Sequence, residues 1–387
     1  MADFRFLTAG ESHGACLTAI VEGLPAGLKI NRDGIDRDLA RRQQGYGRGG
    51  RMKIEKDRVT VLSGIRFGET IGSPITLQIQ NKDGKNWVEK MAPFGESAGE
   101  RVTAPRPGHA DYAGIQKYNR QDIRDILERS SARETAARVA AGALAKQFLA
   151  ACGVEIVSQV VNIGGITATS RQREKMLRGD AASALNCFDP VAEEPMKERI
   201  KEAAKDGDTL GGVFEVAVRG VPVGIGSHIQ WDRRLDARLA AAFMSIQAVK
   251  GVEIGDGFRL ADLPGSMAHD ELYMDDRNRV YRRTNHAGGI EGGISNGEEI
   301  VLHAVMKPIP TLMKPLASVD IATHSPVAAV KERSDVCAVT AASVVGEAMA
   351  ALIITQAVLE KFGGDTMVDV LTALQAYKRR LARENLQ

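Results

Sequence analysis

The chain has 387 residues, 44% apolar and 26% charged, which is enough for a sizeable core and rules out global disorder. Fifty-one Lys and Arg against 49 Asp and Glu leave a net charge of +2, so no bulk field draws in a polyanion and any anion preference is local. The four cysteines (Cys16, Cys152, Cys187, Cys337) lie far apart with no C-x-x-C pair, which argues against a disulfide framework and a cysteine zinc site, and fits a reducing compartment.

In chain order, the first residues show no basic stretch followed by an apolar one, so no signal peptide is expected and the location is read as cytoplasmic. Ala15 to Val21 reads as a strand, as do Val59 to Leu62 and Pro74 to Gln80, with Gly64 and Gly72 as breakers. Arg133 to Ala151 reads as a helix, with Ser131 and Glu134 as an S-x-x-E capping box and Gly153 past its end. The stretch 172–205 is charged and poorly periodic and is placed at the periphery. Val213 to Val218 and Glu299 to Met306 read as strands. The apolar run Ala338 to Leu359 is interrupted by Glu347 and reads as a buried helix rather than a membrane span. A helix from about Val339 reaches the Gly363-Gly364 pair, and another follows from Thr366.

One internal echo stands out. Val21-Glu22-Gly23-Leu24-Pro25-Ala26-Gly27 resembles Val218-Arg219-Gly220-Val221-Pro222-Val223-Gly224, and each precedes a segment of similar D-x-x-L-A wording at Asp36 to Arg41 and Leu235 to Ala240. Chance recurrence of a G-x-P-x-G turn and a pseudo-two-fold pairing of halves both account for it. No Pro- or Ser-rich linker divides the chain, so a single α+β domain over 1–387 is expected.

Five constellations carry chemistry. Gly10-Glu11-Ser12-His13-Gly14 brackets a histidine with glycines, a site for a proton donor to a leaving oxygen or simply a solvated turn. Its match to the G-x-S-x-G elbow of α/β-hydrolases lacks the helix that should follow. Residues 41–53 interleave Arg41, Arg42, Arg48 and Arg51 with four glycines. Arg forks bind phosphate and carboxylate, and glycines let backbone close on a ligand, so a small polyanion explains the density better than nucleic acid does. Arg106-Pro107-Gly108-His109-Ala110-Asp111 holds a second histidine in a turn, with Asp111 a candidate to orient it. Arg129-Ser130-Ser131-Ala132-Arg133-Glu134 opens a helix, where free N–H groups suit an anion, although simple capping also explains it. The loops at 247–251, 285–293, 307–311 and 333–335 are individually weak signals, and no spacing argues for a catalytic metal.

Taken in this order, the motifs GESHG (10–14), ARRQ and GRGGRM (within 40–52), RPGHAD (106–111), RSSARET (129–135), SIQAVKGVEIGDGF (245–258), NHAGGIEGGIS (285–295), KPIPT (307–311) and RSD (333–335) resemble the chorismate synthase family over nearly the whole length. The resemblance implies a lyase that converts 5-enolpyruvylshikimate 3-phosphate to chorismate and phosphate by anti-1,4 elimination with reduced FMN. It implies a β-α-β sandwich, with helices packed between two antiparallel sheets, assembled as a homotetramer without nucleic-acid or membrane partners. By motif, His13 would protonate the departing phosphate, His109 would sit near the reduced flavin, and Asp335 would assist proton removal. Arg42, Arg48, Arg51, Arg106 and Arg133 would bind substrate anions, and the positions of Arg42 and Arg48 are also associated with NADPH as a reductant. FMN would be held by Arg129, Ser130, Ser131, Gln247, Ala248, Gly292, Lys307, Pro308, Ile309, Pro310, Thr311 and Arg333.

Overall fold

Two antiparallel sheets organise the chain, seen in a computed structural model that describes residues 4–49, 55–96, 99–169, 183–276, 279–330 and 335–384. The first contains β1 (Arg5–Ala9), β2 (Cys16–Glu22), β3 (Val59–Ser63) and β4 (Ile75–Gln80), in the order β1-β2-β4-β3. Alternation fixes its faces: Leu17, Ala19, Val21, Leu77 and Ile79 turn into the core, while Leu7 and Ile20 face outward. Helix α1 (Arg32–Gln43) joins β2 to β3, with the Asn31 side chain accepting the Asp33 N–H at its start.

Three helices follow: α2 (Asp111–Tyr118), α3 (Arg124–Ser130) and α4 (Thr135–Ala151). The second sheet holds β5 (Glu155–Ile163), β6 (Ile166–Thr167), β7 (Gly212–Arg219), β8 (Val249–Ile254) and β9 (Ile300–Met306), in the order β8-β9-β7-β5-β6. The remaining long helices are α5 (Pro190–Lys205), α6 (Leu235–Met244), α7 (Val339–Phe362) and α8 (Met367–Glu384). Helix α4 packs on β2 and β4, α7 packs on β5 and β7, and the two helices pack on each other.

The α4–α7 contact is unusually close because it is made by small residues. A Cβ on Gly142 would come within 2.4 Å of the Ala348 Cβ, so the backbones approach where no larger residue fits. Helix α7 is apolar enough in length and composition to cross a membrane, with a mean hydropathy of 1.7, yet 89% of that stretch is buried inside the protein. It is a core helix, as its sequence predicted. Its one buried carboxylate, Glu347, accepts hydrogen bonds from Arg41 Nη1 and Nη2 (2.8 and 2.6 Å), Lys146 Nζ (2.7 Å) and Ser158 Oγ (2.7 Å). Burial opposes ionisation of Glu347, but the Lys146 and Arg41 charges outweigh it and hold the carboxyl well below the ordinary range.

Three expectations are corrected. Helix α4 begins at Thr135 after a 3-10 turn over Ala132–Glu134, and Ser131 Oγ accepts the Arg133 N–H. Glu134 does not complete a capping box, because its carboxylate is taken by Thr8 Oγ1 (2.7 Å), Arg138 Nε (2.9 Å) and Gln247 Nε2 (3.1 Å). The stretch 172–205 is not wholly peripheral: α5 buries Ala192, Met196, Ile200 and Ala203 on one face, the first three within the main core. The positions 172–182 of that stretch lie outside the described residues. The two echoed turns each follow a core strand and lead towards a helix, and Gly23, Gly27, Gly220 and Gly224 all take positive φ, from 82° to 91°.

Candidate functional site

The β1–β2 connection carries His13, and the following strand β2 excludes the hydrolase elbow, which needs a helix there. The loop is held from several sides. Asn81 Nδ2, just past β4, donates to the Glu11 and Gly14 carbonyls (3.0 and 2.8 Å). Arg129 at the end of α3 donates to the Gly10 and Thr8 carbonyls (3.2 and 2.8 Å), and Ser131 Oγ donates to Ser12 Oγ (3.2 Å). Ser130 Oγ turns back to the Ile126 carbonyl (2.9 Å).

His13 itself is fixed by groups the sequence did not single out. Its Nδ1 lies 2.9 and 3.1 Å from the two Glu128 oxygens, and its backbone N–H donates to Glu128 Oε2 at 2.8 Å. The Trp87 ring stacks on the imidazole with centroids 4.1 Å apart. Arg124 donates to Glu128 Oε1 (3.0 Å) and lies over Trp87, 4.9 Å from its centroid. Burial works against the Glu128 charge, but the His13 hydrogen bond and charge, with Arg124, more than offset it and lower the carboxyl. The ring remains partly exposed, at 17%, and borders a cleft lined by Asn81, Lys82, Lys85, Trp87 and Met91.

Arg42, Arg48 and Arg133 share one neighbourhood, and each described candidate arginine has a carboxylate beside it. Arg42 is buried, with Nε donating to Thr135 Oγ1 (2.8 Å), Nη2 to the Ala132 carbonyl (3.0 Å), and Nη1 3.5 Å from Asp57. Arg133 donates to Asp57 Oδ2 (2.7 Å) and Asn81 Oδ1 (2.9 Å), with Glu55 3.9 Å away. Arg48 meets Asp335 at 2.8 Å, and the Gly49 N–H donates to the same carboxylate at 2.6 Å. These groups share one field. Burial first, then repulsion from Arg133 and Arg48, push Arg42 down to about 10, against the pull of Asp57 and Asp335. Buried charges must be paired, so a cluster of this kind needs such carboxylates. Arg51 and Arg333 lie outside the described residues.

A second node joins Arg106, His109 and Asp111 at the start of α2. Asp111 accepts from Arg106 Nε (2.8 Å) and Nη2 (3.1 Å) and lies 2.5 Å from His109 Nδ1. Asp111 therefore does orient the imidazole, a role that its two-residue spacing left open. Burial disfavours its charge, but His109 and Arg106 hold the carboxyl well below the usual range. The 307–311 segment closes over this turn: Lys307 Nζ donates to the Gly108 carbonyl (2.5 Å), and Arg106 Nη1 donates to Thr311 Oγ1 (3.4 Å). Ile309 accepts at its carbonyl from Thr209 Oγ1 (2.7 Å), and Pro310 lies against Gly108. Partial burial and the Lys250 charge lower the Lys307 ammonium.

Ala248 links the nodes, accepting the Lys307 N–H at 2.9 Å, and holds a positive φ of 67° that a side chain rarely adopts. Gly292 lies between Ile290–Glu291 and Ile294–Ser295, where a Cβ would meet nothing within 4 Å, and no hydrogen bond joins it to the other candidates among the described residues. Among the described residues, the buried atoms without a hydrogen-bond partner include Gln247 Oε1, an acceptor, and Arg133 Nη2, a donor. The first fits a ring N–H and the second an anion, so the residues present suit a flavin beside a phosphorylated acid.

Fold and site together define an α+β protein with buried, carboxylate-paired arginines and two histidines each held by a carboxylate. The chorismate synthase family model matches residues 4–359. A chorismate synthase from Geobacter sulfurreducens is 59% identical over 384 residues, covering 96% of this chain and 98% of its own. One from Desulforamulus reducens is 57% identical over 380 residues, covering 97% and 98%. A crystal structure of a chorismate synthase aligns with a TM-score of 0.80 and 43% identity, covering 99% of each chain. The chain belongs to the chorismate synthase family.

Proposed function

We propose that the protein converts 5-enolpyruvylshikimate 3-phosphate to chorismate and inorganic phosphate by anti-1,4 elimination, in the shikimate route to aromatic amino acids. The observation that carries this reading is the full-length family match joined to the convergence of Arg42, Arg48, Arg133 and Asp335 in one charge field. The substrate offers a phosphate and two carboxylates, and the arginines are forks for such groups. Arg133 Nη2, without a hydrogen-bond partner among the described residues, is a donor available to an anion. Arg106 and Arg51 complete the assigned substrate set.

His13, with Nδ1 committed to Glu128, is left to act through Nε2 and gives its proton to the departing phosphate oxygen. His109 is held by Asp111 and is assigned to the protonation state of the cofactor site. Asp335 is assigned to the ring-proton side of the elimination. Reduced FMN supplies the electron-rich partner for breaking the ring C–H bond, with no net redox change. Arg129, Ser130, Ser131, Gln247, Ala248, Gly292, Lys307 to Thr311 and Arg333 are the residues assigned to hold it.

We read the whole chain as one cytoplasmic domain, a β-α-β sandwich in which the echoed turns mark a pseudo-two-fold, assembled as a homotetramer and acting on a small molecule. The test is direct. Protein with photoreduced FMN, given the phosphorylated substrate without oxygen, releases chorismate and phosphate in equal amounts. Absence of both products sinks the reading. Turnover in air with NADPH and no added reductase would assign Arg42 and Arg48 to a nicotinamide cofactor as well, and the need for a reductase would withdraw that role.

A further inference from the structure

We propose that Glu128 is a positioning residue for His13: its carboxylate fixes the ring through Nδ1, presents Nε2 to the substrate, and sets a negative charge against the imidazole from which the leaving phosphate takes its proton. The inference rests on the reading of His13 as the acid of the elimination.

The geometry is that of a closed four-member unit. Glu128 grips His13 twice, at Nδ1 and at the backbone N–H, and its own carbonyl accepts the Ser12 N–H at 2.9 Å. Three contacts from one residue set both the loop and the ring within it. Trp87 covers one face of the imidazole, which removes rotation out of that plane. Its indole N–H is tied to Asp83 Oδ2 at 3.3 Å. Arg124 closes the unit by bonding Glu128 and lying over Trp87.

The charges facing the imidazole can be named from every side. Glu128 is 3% exposed and Arg124 19% exposed, so the pair is only weakly screened. Among the described residues, the cleft beyond the ring adds Lys82 and Lys85. Among the described residues, the only carboxylate in hydrogen-bond contact with the ring is Glu128. A carboxylate facing an imidazole stabilises its cation, and a guanidinium facing that carboxylate weakens the effect. Glu128 and Arg124 therefore act on His13 in opposite senses, which a purely structural contact would not do.

The sign follows. A general acid works while protonated, so its loss sets the alkaline limb of the kcat–pH profile. Glu128→Gln keeps the size and the hydrogen bond to Nδ1–H but removes the charge, and the limb moves to lower pH by about one unit. kcat near neutrality falls about 10- to 100-fold, while KM changes less than about threefold, because Glu128 is buried and does not line the cleft. Arg124→Gln moves the limb the other way. In a His13→Ala background, Glu128→Gln adds little further loss, because the residue acts through the ring that is gone.

The experiment measures kcat and KM against pH for the flavin-loaded wild type, Glu128→Gln, Arg124→Gln, His13→Ala and the Glu128→Gln, His13→Ala double variant. Opposed limb shifts and a non-additive double variant support the proposal. An unmoved limb in Glu128→Gln, or losses that multiply in the double variant, overturn it. Should Glu128→Gln not fold, Arg124→Gln decides alone: an upward shift supports the proposal, and no shift or a downward one refutes it. A wild type that makes no chorismate removes the underlying reading and this inference with it. An active wild type whose Glu128→Gln form behaves identically removes the inference only.

Discussion

Replacing Glu347 tests whether the buried ion cluster between α1, α4 and α7 holds the core together. Glu347 accepts from Arg41, Lys146 and Ser158, and Asp38 supports the same cations at 3.3 Å from Arg41 and 2.8 Å from Lys146. Glu347→Leu leaves two cations with one carboxylate. Removing one partner of a buried pair costs roughly 3–5 kcal/mol, and the remaining Asp38 places this case at about 3. For a chain this long, ~2 °C per kcal/mol gives a fall in Tm of about 6 °C. The carboxyl is held below its unfolded value, so its stabilisation is present above about pH 4.5 and disappears as pH falls through the folded value. The gap between wild type and variant is therefore flat from neutrality to about pH 5 and narrows in stronger acid. Denaturant or thermal unfolding at fixed protein concentration reads it. Adding Arg41→Met and Lys146→Met should restore much of the loss, because an apolar set leaves no orphaned charge. A single variant within about 0.5 kcal/mol of wild type at neutral pH would falsify the account.

Gly142→Ala places a Cβ 2.4 Å from that of Ala348 and should destabilise by about 1–3 kcal/mol, seen as a lower unfolding midpoint; an unchanged midpoint would mean the helices part freely. Asp111→Asn takes the shared anion from Arg106 and His109 and should slow chorismate formation by roughly 10²-fold or more, with wild-type turnover counting against an orienting role. Burial pushes the Cys152 and Cys337 thiols up to about 11 and raises that of Cys187, so a disulfide reagent at neutral pH should titrate at most Cys16 quickly in the folded protein and all four after unfolding. Two or more fast native thiols would contradict the burial.

The strand β4 was legible because one face is buried and the other is not, which writes alternation into the sequence, whereas β7 and β9 are buried on both faces and read as short apolar runs rich in β-branched residues. Helix α7 was legible by its length and by the Glu347 carboxylate set in the middle of its apolar run. Helix α5 was hidden because its buried stripe includes Ala192 and Ala203, too small to stand out among many charges. The capping box failed at Glu134 because Thr8, far away in sequence, competes for the same carboxylate. The site divides in the same way. Arginines and histidines in glycine-rich loops announce themselves locally. Their counter-charges do not: Asp57 serves Arg42 across 15 positions, and Glu128 serves His13 across 115. Only Asp111, two positions from His109, was close enough to be considered. Glu128 stood beside the Arg129-Ser130-Ser131 motif, and that adjacency was the one signal that pointed to it.

The tight crossing of Gly142 and Ala348 has a mechanical meaning. Both helices start at the site, α4 just after Arg133 and α7 just after Asp335. Gly142 lies about 10 Å along α4 and Ala348 about 14 Å along α7, at 1.5 Å per residue. The crossing is thus a fulcrum a short lever arm from the arginines, with almost no slack. A methyl group wedged there would splay the two helix starts and separate Arg133 from the Arg48–Asp335 pair. The spacing of these side chains is thereby geared to a contact several turns away from them.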